Sequence, residues 1–252
     1  MALFKSGNPV LNDKAFNGTI EYQQTDVMTV NGTLNKFGLM MILLFASASF
    51  TWKAAAEGKD VITWVFVAMF AGLIAALVLS FKKQWGSFLA PIYALAEGVF
   101  LGGISAYFNN AFAKTAPGIV MQAVMLTFGV VVAMFALYRF GIIKATERFK
   151  SVVVMATMGI AVFYLLAWIL RMFNIQMPLI HESTTMGIVF SLIVVVIAAL
   201  NLILDFDFIE QGSRMNAPKY MEWFGAFGLL VTIVWLYLEI LKLLAKLAAS
   251  RK

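Results

Sequence analysis

The stretch Leu204–Phe224 reads LDFDFIEQGSRMNAPKYMEWF and lies between two long apolar blocks, roughly 186–206 and 223–245. It carries four acids, Asp205, Asp207, Glu210 and Glu222, in a chain with only 13 Asp and Glu among 252 residues. A carboxylate beside hydrocarbon is costly unless it is paired, hydrated or neutralised, so acids placed there suggest a working role. Each flanking block is near the roughly 20 residues that carry a helix across about 30 Å of hydrocarbon. A backbone in lipid must satisfy its own hydrogen bonds, so the two blocks read as membrane helices joined by a short acidic connection.

Five more apolar blocks precede this pair, roughly 37–56, 61–81, 88–108, 118–140 and 149–173. Strands of a membrane barrel would be half as long and would alternate in polarity. The reading is an all-α membrane protein, a bundle of seven transmembrane helices over 36–252 behind a polar N-terminal tail over 1–35. The tail is rich in Asn, Gly, Thr and Gln and reads as solvated; it lacks the apolar core of a cleavable signal peptide. Lys53 lies inside the first block, where a lysine can extend its ammonium to the helix end. The chain is 62% hydrophobic and 13% charged, against roughly 45–50% and about 25% for a soluble domain.

Several function classes drop out. With no cysteine, a disulfide, a thiolate metal site and a Cys nucleophile are all impossible. The single His181 excludes a multi-histidine metal site. The basic residues are scattered, with no nucleic-acid patch. No GxGxxG after a strand, P-loop, GxSxG or HExxH is present, so neither an enzyme nor a cofactor is expected. No internal repeat is evident, which weighs against an inverted-repeat transporter.

Orientation follows from Lys and Arg. The even-numbered connections carry eight, namely Lys82, Lys83, Arg139, Lys144, Arg148, Lys150, Arg214 and Lys219. The odd-numbered ones carry four, Lys53, Lys59, Lys114 and Arg171. The positive-inside rule then places the N-terminus and the acidic stretch in the cytoplasm, although Lys242, Lys246, Arg251 and Lys252 pull the other way.

Within the blocks, Ala94, Gly98, Gly102 and Ala106 recur every four residues and form a ladder for close helix packing. Glu97 stands beside the ladder near mid-helix and should face the bundle interior. Asn201 and Asp205 share one helix face by spacing, while Asp207 and Glu210 share another. Plain hydration at a helix end is the alternative for these acids. Glu210 also lies one turn from Arg214, a surface pairing worth little. Thr232 and Glu239 lie on one face of the last helix, and Glu239 is three residues from Lys242.

The chain resembles the Bax inhibitor family of membrane proteins over roughly 37–247. The resemblance is carried by Ala96-Glu97-Gly98 in the third block, Phe206-Asp207-Phe208 closing the sixth, and LYLEILKLL over Leu236–Leu244. It implies a seven-helix bundle with the last helix in the middle, and passage of calcium in a pH-dependent way. It also implies a latch of two aspartates, one closing the sixth helix and one in the seventh. The first carries over to Asp207, with Asp205 as its neighbour. The second falls by spacing at Thr232, which cannot share a proton with a carboxylate. The family's arginine in the second helix has no counterpart either.

These readings lead to a multi-pass inner-membrane protein acting as a pH-sensitive calcium or cation leak. Asp207 and Asp205 are its sensor and transient calcium contacts, and Glu97, Glu222 and Glu239 are supporting acids. Its partners are then the bilayer, calcium and protons. Clustered carboxylates suit calcium, which takes six to eight oxygen ligands, and protonating them removes charge and hydrogen-bond latches. The competing reading is a non-conducting regulator that binds a membrane protease or another stress partner through its tail and glycine ladder. A proton-coupled transporter comes third.

Overall fold

All seven apolar blocks are helices in the computed structural model, which describes residues 27–173 and 184–250. They are α1 (Val30–Ala56), α2 (Ile62–Phe81), α3 (Gly86–Ala111), α4 (Ile119–Arg139), α5 (Glu147–Met172), α6 (Thr185–Arg214) and α7 (Met221–Ala249). Each is long and apolar enough to cross a membrane, so the protein is a multi-pass membrane protein. The tail up to residue 26, His181, most of the 174–185 connection, Arg251 and Lys252 lie outside the described residues.

Two helix boundaries differ from the hydropathy blocks. α1 begins at Val30 rather than near 37, because Thr29 caps it by accepting a hydrogen bond from Gly32 N at 2.9 Å. α6 runs through most of the acidic stretch to Arg214, so the acids project from helical faces instead of a loop. The remaining turn, 215–220, is closed by Asn216 in the left-handed conformation at φ 51°, a conformation that asparagine tolerates better than most residues.

The last helix is central. Along its most apolar stretch 72% of residues are buried, against 11–39% for the other six. It packs on α1, α3, α4 and α6. α5 is outermost, presenting Val152, Met155, Val162, Leu165 and Trp168 outward, a face suited to lipid. The ladder on α3 does what its spacing predicts. A Cβ at Gly98 would overlap Ser47 Oγ and the Leu44 carbonyl of α1, and one at Gly102 would lie 2.9 Å from Ala48 Cα. Ala94 and Ala106 are buried in α3 as well.

Candidate functional site

The acids of the stretch do not form one cluster. Each reaches a different helix: Asp205, Asp207 and Glu210 because successive residues on α6 are turned by about 100°, and Glu222 because it stands on α7.

Asp207 points toward the start of α5. Its Oδ2 pairs with Lys150 Nζ at 2.9 Å and accepts from Gln211 Nε2 at 2.5 Å. Its counterpart is therefore a lysine. Glu210 turns toward α4 and accepts from the Tyr138 hydroxyl, with Arg214 Nη2 at 2.6 Å on its other oxygen. The Arg214 pairing is the one the spacing predicts. Glu210 does not share a partner with Asp207, although the two are three residues apart.

Asp205 points inward to α7. The Thr232 hydroxyl lies beside its carboxyl group and donates to the Gly228 carbonyl at 3.3 Å. Asp205 Oδ2 is buried without a hydrogen-bond partner among the described residues. Asp205, and not Asp207, thus faces the position where the second aspartate of the latch was expected. Asn201, one turn earlier, parts from it and donates to Thr157 Oγ1 of α5 at 2.8 Å.

Glu222, in the first turn of α7, is fully buried. Its Oε1 accepts from Thr29 N and Thr29 Oγ1, both at 2.9 Å, and pairs with Lys219 at 2.9 Å. Its Oε2 pairs with Lys36 of α1. Gly32 leaves the room this carboxylate occupies, since a Cβ there would overlap it. Sequence spacing gave no sign of this site, as Lys36 stands 186 positions away.

Glu97 lies apart from these groups. It abuts α2 at Gly72, where a Cβ would come within 3.1 Å of Oε1, and it meets the Tyr93 hydroxyl. It therefore faces the neighbouring α2.

One continuous feature links most of the rest. Gly187, Ser191, Ala198, Leu202, Asp205, Ile209 and Gly212 recur on α6 at steps of three, four or seven, and of these Gly187, Ser191, Asp205 and Ile209 meet Lys246, Thr232 and Gly225 of α7. On α7 the matching line is Gly225, Leu229, Thr232, Leu236, Glu239 and Lys246. Steps of this size keep residues on one helix face. At the far end of the seam Glu239, 1% exposed, accepts from Tyr164 at 3.2 Å and pairs with Lys242 at 2.7 Å. Lys246 Nζ donates to the Gly187 carbonyl at 3.0 Å and to Ser191 Oγ at 2.9 Å. Glu239 and Lys242, three residues apart on the helix, do pair, with the glutamate side chain buried and the lysine side chain 40% exposed. Leu202, Ala198 and Leu236, all 0% exposed, separate Asp205 from Glu239, so the seam is polar at both ends and apolar between.

No group of three or more His, Cys, Asp or Glu side chains that could hold a metal ion comes together among the described residues. Asp205 and Asp207 point to opposite sides of α6. A cavity of about 250 Å³ lies elsewhere, between α1, α3, α4 and α7. It is mostly apolar and ends on the Ser105–Tyr237 hydrogen bond of 2.6 Å.

A family model described as Bax inhibitor 1 like matches residues 8–249. No curated protein and no solved structure matches the chain.

Proposed function

The chain belongs to the Bax inhibitor 1 like family, and on that premise we propose that it is a pH-sensitive leak for calcium or other cations along the α6–α7 seam. Asp205 is the gating acid. The observation that carries this reading is its buried Oδ2, set beside the neutral Thr232 hydroxyl and without a cation partner among the described residues. A buried carboxyl group without a charged partner is costly to keep unless it has work to do. Loss or gain of its proton changes the charge at the seam about 15 Å in from the start of α7.

The apolar stretch at Leu202, Ala198 and Leu236 is the closed constriction. Hydrophobic constrictions of this kind gate channels by excluding water. Charge on Asp205 would draw water and a cation toward it, and protonation would favour the dry state. Asp207 holds Lys150 and supports the end of α6, so its part is secondary. The N-terminus and the α6–α7 turn are cytoplasmic, from the excess of Lys and Arg on that side, and the membrane is an inner membrane. The non-conducting regulator remains the second reading, favoured by the close α1–α3 face, whose small residues suit helix contacts generally.

Calcium entry into liposomes holding the purified protein, followed from pH 5 to 8, tests the leak. Wild type should conduct in a pH-dependent way, Asp205→Asn should remove most of that dependence, and Asp207→Asn should shift it less. Absence of flux at every pH removes the leak, and a pH profile left unchanged by Asp205→Asn removes Asp205 from the gate.

A further inference from the structure

Met28 lies outside every helix yet is only 1% exposed. Its thioether sits in the groove between α6 and α7. A Cβ at Gly212 would come within 2.7 Å of Met28 Sδ, and one at Gly225 within 3.4 Å of its methyl group and 3.2 Å of Ile209 Cγ1. Two glycines that face each other across the seam therefore make the slot that the methionine fills. Ile209 closes the groove behind it, and Asp205 is one turn further along the same face of α6.

The backbone around Met28 is held as well. Met28 N donates to the Ala217 carbonyl at 2.7 Å, and Val27 bridges Pro218 in the α6–α7 turn. The next residue, Thr29, gives both its N–H and its hydroxyl to Glu222. Glu222 also binds Lys36 and Lys219. One fully buried carboxylate thus ties the start of α1, and with it the segment bearing Met28, to the start of α7.

We infer that Met28 is a plug closing the acidic end of the α6–α7 seam, and that Glu222 is the latch holding it in place. The inference rests on the reading of the seam as the path. A thioether suits the task, because its flexible apolar side chain fills an irregular slot without bringing charge to it. Release of Glu222 would free the segment and expose Ile209, leaving one helical turn between solvent and Asp205.

The absence of cysteine allows a test that does not depend on conduction. Ile209→Cys places a thiol directly behind Met28, and its labelling by a small charged methanethiosulfonate is followed with the full chain in lipid nanodiscs. Labelling should be slow with Met28 in place, at least tenfold faster on adding Met28→Ala, and still slow on adding Met28→Leu. Gly212→Ala, which forces the thioether from its slot, should match Met28→Ala and serves if that variant does not fold. Glu222→Gln should also speed labelling. An unaccelerated rate in Met28→Ala and Gly212→Ala overturns the plug, and an unaccelerated rate in Glu222→Gln overturns the latch. Faster labelling with no calcium entry in any variant upholds the plug and removes the leak.

Discussion

Gly98→Val is expected to stop α3 from seating on α1 and to cost about 3 kcal/mol or more, the upper range for overpacking. The reason is what the new side chain would strike. A Cβ at position 98 overlaps the Leu44 carbonyl as well as Ser47 Oγ. A side chain can rotate away, whereas a helix carbonyl moves only with its helix. Neighbouring Gly102 meets Ala48 backbone in the same way, so α1 cannot slide along α3 to relieve the clash. Gly129→Val on α4 is the matched control, since nothing lies within 4 Å of a Cβ there. Thermal unfolding in detergent distinguishes the two. Equal melting of both variants would show that α1 and α3 are not held at backbone contact.

Glu222→Ala should be the most damaging loss of charge, at about 3 kcal/mol, the lower end of the range for breaking a buried ion pair. Lys36 and Lys219 lose their shared partner, and Thr29 N loses its acceptor. Lys219 is half-exposed and can turn to water, but Lys36 has a side chain only 19% exposed and is less free to do so. Glu210→Ala is the comparison. Its side chain is 40% exposed, and an ion pair in that setting contributes about 1 kcal/mol or less. Denaturant unfolding of the two variants measures the difference, and similar losses would mean that Glu222 is not the anchor of α1.

Hydropathy alone was enough for the seven helices and the multi-pass membrane character, because the need to cover backbone in lipid acts on each segment by itself. The spacing of Gly98 and Gly102 announced a close helix contact for a similar reason, since absence of a side chain every fourth residue leaves a groove whatever the partner. It could not say that the partner is α1. The Glu210–Arg214 and Glu239–Lys242 pairs were legible because both members stand on one helix turn.

The roles of the acids depended on what packs around α6. Asp205 and Asp207 are two residues apart and chemically identical, yet one faces Thr232 of α7 and the other Lys150 of α5. The family context pointed to Asp207, but it is the central placement of α7 that selects Asp205 for the inner seam. The same holds for Glu222, which looks like one more acid at a helix end until α1 brings Thr29 and Lys36 to it. Helix formation answers to local hydrophobicity and to hydrogen bonds within four residues. The partner of a buried charge is chosen by which helices meet, and that choice spans nearly two hundred positions between Lys36 and Glu222.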